Sequence, residues 1–234
     1  MLNVFIFIVL PYAALALLIF VTPYRYFSNR LTWTAYSTQF LERKTLFWGI
    51  DPWHYGIILV LIAHLAGIIA PAFMKRLLSD QNRLLFFEGL GLGLGLLALF
   101  GILLLILRRV SLPILKGVTS ASDYILLCLL ALQAAGGVYI AITLRWGSQW
   151  YLHAVVPYFY SLLLFNPQVE YMADFPLIVK LHAAGAFLIL GILPFTKLVH
   201  LFYQPFSFLK DPPLLYRWRN RSGKEGWGGY QPFF

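Results

Sequence analysis

The sequence predicts an all-α membrane protein, a bundle of five transmembrane helices with the N-terminus outside and the C-terminus in the cytoplasm. Three observations predict it: an apolar composition, five long apolar runs and a lopsided distribution of loop cations. Hydrophobic residues make up 60% of the chain and charged residues 12%, where a soluble domain carries about 25% charged. Mean hydropathy is +0.75. No polar block of domain size interrupts the chain, so its 234 residues hold one membrane domain, expected over 1–206, and a cytoplasmic tail over 207–234. In that setting a net charge of +9 reflects loops on the cytoplasmic side of a membrane and not a nucleic-acid partner. Cys128 is the single cysteine and lies in an apolar run, which excludes disulfides and cysteine-built clusters.

A spanning helix needs about 20 mostly apolar residues, and stretches near 3–24, 53–74, 84–107, 122–144 and 176–203 qualify. The first lacks the charged leader and small-residue cleavage site of a signal peptide, and its apolar core is too long for one. The second carries His54 and His64. In the third, glycine alternates with leucine from Gly89 to Gly95. With no strand before it this is not a dinucleotide loop; Gly91 and Gly95 are expected to let a neighbouring helix or a cofactor edge approach closely. The fourth carries Cys128, and the fifth carries His182, Pro194 and His200. Pro194 lacks an amide donor and is expected to kink that helix. The remainder, 25–52, 75–83, 108–121 and 145–175, reads as loops. Twelve lysines and arginines fall on one side, in the first and third loops and the tail, and four on the other, Lys75, Arg76, Arg83 and Arg145. The cation-rich side is cytoplasmic.

Four of the five histidines sit within or at the ends of apolar runs, where ionisable side chains are rare, face inward and mark function. On this topology His54 and His200 lie near the cytoplasmic face. His64 is ten residues beyond His54, roughly 15 Å outward along its helix. His182 is eighteen residues before His200, five helical turns, so the two are expected to share one face of the fifth helix. His54 therefore pairs with His200 on the inner side, and His64 with His182 further out. Each pair joins two antiparallel helices and can clamp a planar ligand, so two bis-histidine haems of b type fit the layout. Covalent attachment is excluded, because no C-x-x-C-H is present. Zinc is disfavoured, since its histidines cluster within a turn. His153, in the outer loop, reads as a solvated residue.

The loops and helix ends add motifs. The first cytoplasmic loop reads Thr32-Trp33-x-Ala35-x-Ser37-x-Gln39-x-Leu41-Glu42-Arg43-Lys44, and Thr119-x-x-x-Asp123 opens the fourth run. The fifth carries Leu181-His182 and Pro194-Phe195-Thr196-Lys197-Leu198-Val199-His200. With the ten- and eighteen-residue histidine spacings, these motifs make the chain resemble, to about residue 206, the gamma subunit of respiratory nitrate reductase, a five-helix di-haem cytochrome b. The resemblance implies the quinol-oxidising subunit of a quinone-dependent oxidoreductase in a prokaryotic cytoplasmic membrane, multi-pass and surrounded by lipid. His64 and His182 correspond to the iron ligands of the outer haem, where quinol is oxidised, and His54 and His200 to those of the inner haem. Electrons then leave for a cytoplasmic iron–sulfur (beta) subunit and a molybdenum-containing catalytic (alpha) subunit, which reduces nitrate.

The resemblance also implies a basic residue near the outer haem, between the second and third helices. Here Gln81 stands at the position of the family's lysine, and Ala63 replaces the glycine before the outer histidine. Arg83 is the expected hydrogen-bonding cation for quinol. The tail, with Leu214-Leu215-Tyr216-Arg217-Trp218-Arg219-Asn220-Arg221 and Gly226-Trp227-Gly228-Gly229-Tyr230, departs from the family pattern. Its aromatics and arginines are interface-rich types, so it is expected to contact the iron–sulfur partner. Two alternatives compete. A cytochrome b anchor for formate dehydrogenase or hydrogenase would share the haems but not the first-loop motif. A non-redox transporter or anchor would leave the paired histidines unexplained and is expected to show repeated halves.

Overall fold

The structure, a computed structural model, describes residues 2–28 and 44–201. The first-loop motif up to Arg43 and the tail lie outside those residues. Among the described residues every regular element is a helix, and five are long and apolar enough to cross a membrane: Leu2–Ser28, Thr45–Ile69, Gln81–Ser111, Ala121–Thr143 and Leu177–Phe195. We number these spans one to five. Their outer faces carry unsheltered apolar side chains, such as Phe20, Ile69 and Leu132, each at least 70% exposed. A water-soluble surface does not tolerate such patches; a lipid-facing one requires them.

Proline and the capping side chains set the helix ends. Span two emerges from a helix that starts at Lys44 and contains Pro52, two turns earlier than the sequence suggests. Its far end breaks at Ala70, which Pro71 forces out of helical conformation. Asp80 caps span three by accepting the Arg83 amide. Ser120 and Asp123 cap span four reciprocally, each side chain accepting from the other's backbone amide, the capping box of helix N-termini.

Spans two and three approach to backbone contact. A β-carbon added at Gly56 would lie 2.6 Å from the Ala98 nitrogen, and one at Gly101 would lie 2.7 Å from the Gly49 carbonyl. The alternating glycines behave otherwise than expected. Gly89, Gly91 and Gly93 face open space, and only Gly95 meets a neighbour, Val138. The close approach falls on Gly49, Gly56 and Gly101, whose side-chain-free faces point at the partner helix.

The 145–175 segment is not a loop. After Trp146, left-handed at φ 63°, the chain forms a helix over 147–163 with a wide turn at Tyr151–Val155, then a short helix at Glu170–Ala173. This helix is stitched to the bundle through tyrosines. Tyr158 donates to the Phe7 carbonyl at 2.8 Å. Pro11, four residues after Phe7, has no amide to give that carbonyl, so the phenol satisfies what the proline leaves open. Tyr12 returns a bond to the Leu162 carbonyl at 3.0 Å, and Phe7, Tyr158, Leu162, Met172 and Phe187 form the main buried cluster.

Span five ends sooner than the sequence suggests. Its α-helix stops at Ile192 and continues as two tight turns, Leu193–Phe195 and Lys197–Val199, separated by an extended Thr196. Pro194 thus terminates the helix and does not merely kink it. His182 and His200 accordingly do not share one face of a continuous helix. His200 instead follows the second turn, in helical conformation with Leu201.

Candidate functional site

Spans two and five carry the four histidines. His54 follows Pro52 by two residues inside the second helix, and its Nδ1 lies 2.8 Å from the Ile50 carbonyl. The Nδ1 of His200 lies 2.7 Å from the Lys197 carbonyl. A carbonyl only accepts, so in both rings the proton sits on Nδ1 and the Nε2 lone pair is left free, the arrangement a metal-binding imidazole needs. The two rings face one another with centroids 6.4 Å apart and planes at 62°. The two imidazoles are thus near enough to be candidates for holding one group between them.

His64 follows the same rule, with Nδ1 2.8 Å from the Val60 carbonyl. The Tyr151 ring packs edge-on against it, centroids 5.3 Å apart, and the Tyr151 hydroxyl donates to the His64 carbonyl at 2.8 Å. Burial pushes the Tyr151 phenol up to about 12, so it stays a neutral donor. His153 makes the same bond to the Gln149 carbonyl and, like His64, is exposed, so neither feature alone marks a ligand. What separates the four from His153 is a second histidine across the bundle.

His182 is held differently. The Gln133 side-chain amide of span four donates to its carbonyl at 3.0 Å and lies 3.4 Å from its Nε2. Its Nδ1 is buried without a partner. The ring rests on span four where glycines leave room: a β-carbon at Gly137 would come within 3.1 Å of it. His64 and His182 are within electrostatic range of each other, but their rings do not meet as the inner pair's do. An orphaned imidazole nitrogen in an apolar cradle is a costly arrangement for packing alone and suits a residue built to bind. Among the described residues no three His, Cys, Asp or Glu side chains gather.

The structure places Arg83 at the start of span three, half-exposed, with its Nε 3.9 Å from the Asp80 carboxylate. Around it, Gln149 donates to the Leu78 carbonyl and Glu88 accepts the Ser148 amide. Sequence reasoning missed Tyr151, Gln133 and the ion pair of Lys197 with Asp123, at 2.7 Å. A signal for Tyr151 was present in the aromatic run from Trp150 to Tyr160, which is richer in apolar residues than a solvated loop.

Apolar spanning helices that present facing imidazoles, with no cysteine attachment, define a membrane protein of the cytochrome b class. The chain belongs to the nitrate reductase gamma subunit family, whose sequence pattern matches residues 3–219. It is 32% identical over 216 residues to the nitrate reductase gamma chain of Bacillus subtilis, covering 91% of this chain and 96% of that one. To the respiratory nitrate reductase 1 gamma chain of Escherichia coli it is 27% identical, covering 94% and 99%. It also matches the nitrate reductase-like protein NarX of Mycobacterium tuberculosis at 26%, over 94% of this chain but 35% of that protein. It is therefore a membrane subunit of a nitrate reductase complex.

Proposed function

We propose that this chain oxidises quinol and passes the electrons through two b-haem sites to a cytoplasmic iron–sulfur subunit, which serves a molybdenum-containing nitrate-reducing subunit. The observation that carries this reading is the facing of His54 and His200 at 6.4 Å with both Nε2 atoms free. His54 and His200 hold the inner haem, and His64 and His182 the outer one. When bound, each haem supplies a one-electron change at its iron, tuned by burial and by what its ligands are bonded to. The chain's own residues do the rest. Ile50, Lys197 and Val60 fix three imidazole tautomers through their carbonyls. Gln133 and the Gly136–Gly137 face seat the fourth. The apolar helices exclude water.

The cation count supports an orientation with the N-terminus outside and the inner pair toward the cytoplasm in a prokaryotic cytoplasmic membrane. Quinol is then oxidised near the outer pair, with Arg83 as the cation offered to its oxygen, and the protons are released outside. Membership of the nitrate reductase family favours this assignment over an anchor for formate dehydrogenase or hydrogenase, or a transporter. The test is haem quantitation and reduced-minus-oxidised spectroscopy of four His→Ala variants. H54A and H200A should lose one and the same haem, and H64A and H182A the other. Absence of a b-type band in the parent, or loss patterns that cross the pairs, would sink the reading.

A further inference from the structure

We propose that Lys197 is a positioning residue for the inner-haem ligand His200, latched in place by Asp123. The inference rests on the reading of His200 as a ligand. Because Pro194 ends the α-helix of span five, His200 is not carried on that helix and is reached only through the break that follows it. The tight turn Lys197–Val199 leads directly into it. Such a turn is poorly stabilised by its own bonds, so other contacts must set where it lies.

Two side chains from other helices supply them. Arg25 of span one donates to the Pro194 carbonyl at the start of the break. The Lys197 ammonium lies 2.7 Å from Asp123 Oδ2 on span four. Asp123 is itself immobilised: the same Oδ2 accepts the Ser120 amide at 3.1 Å, and the Ser120 hydroxyl accepts the Asp123 amide at 3.3 Å. Asp123 is buried and Lys197 partly exposed, so the carboxylate is the fixed point and the lysine reaches to it. Lys197 also presents its carbonyl to the His200 Nδ1 at 2.7 Å. One residue thus joins the ligand imidazole to a capped helix end on another span. Thr196 aids it by accepting the Leu198 amide at the start of the turn. A partner that orients a ligating imidazole is worth about 10–100-fold in metal affinity, and here the partner is a backbone carbonyl whose position the Lys197–Asp123 pair determines.

Lys197→Met keeps the backbone and most of the side chain, removes the ammonium and spares the Ser120–Asp123 cap. In membranes holding the whole complex, K197M should retain the inner haem about 10-fold less well and alter its low-spin EPR signal, with the outer haem unchanged. Lys197→Arg should restore both. An unaltered inner-haem signal in K197M, or equal loss of both haems, overturns the latch. His200→Ala, run in parallel, separates the two levels of the argument. If H200A keeps both haem signals, the ligand reading itself fails; if it loses the inner haem beside an unaltered K197M, only the latch does.

Discussion

At the scale of single residues, the four histidines differ in what fixes them, and that difference predicts how each site responds to change. His54 and His64 are bonded to carbonyls four residues back in a continuous helix, so their Nε2 atoms are aimed by local geometry. His182 has no such bond; its orientation comes from span four, through Gln133 and the glycine face under the ring. A methyl at Gly137 would press within 3.1 Å of the His182 ring, closer than side chains normally pack. Gly137→Ala should therefore shift the potential and EPR signal of the outer haem while leaving the inner one as it was, measured by redox titration in membranes. An inner-haem shift of equal size would show that the methyl acts on the bundle as a whole. The four candidate histidines stood out in the sequence because an imidazole in an apolar run is costly. Gln133 and Gly137 were not, because nothing in their own segment says that they meet a histidine forty-odd residues away.

At the scale of elements, small residues decide which helices touch, and their position matters more than their number. Gly101 faces the backbone of span two near Trp53, whereas Gly91 faces open space. Gly101→Val must push two backbones apart and should destabilise the bundle by about 1–3 kcal/mol, lowering its melting temperature in detergent. Gly91→Ala should cause no such loss. If both variants melt alike, the packing of spans two and three is not what holds the bundle. The sequence drew attention to Gly91 because the Gly–Leu alternation is conspicuous, but a pattern shows spacing and not the neighbour. The five spans were legible from hydropathy, and the two largest departures share a cause in proline. Pro194 cuts span five short, and with it fails the argument that His182 and His200 share a face. Pro52 sits inside a helix where the sequence suggests a start, since spans two and three pack on both sides of it. The 147–163 helix was hidden because it is shorter than a span, and its anchoring tyrosines bond to backbone carbonyls that no sequence pattern displays.

For the molecule as a whole, the exposed apolar faces of all five spans and the cation-rich loops assign different partners to different surfaces. Lipid takes the sides. The end bearing His54 and His200 is where Arg109 bonds Thr119 and Lys197 pairs with Asp123, so its polar groups are ordered before any partner arrives. On the proposed orientation this end faces the cytoplasm and the tail extends from it. The tail, 207–234, carries five of the chain's eighteen lysines and arginines together with tyrosines, tryptophans and glycines, and such a mixture buries little apolar surface on its own. Among the described residues, the bonds to the histidines come from the spans and the 147–163 helix. Truncation after residue 206 should therefore leave both haems in place, with unchanged spectra and stoichiometry. The iron–sulfur and catalytic subunits should dissociate more readily from washed membranes, because the lost aromatics and arginines are interface types. Nitrate reduction by quinol should fall in step with the subunits lost, while quinol should still reduce the haems. Full retention of the soluble subunits would remove the tail from the interface, and loss of a haem would show that it belongs to the membrane domain instead.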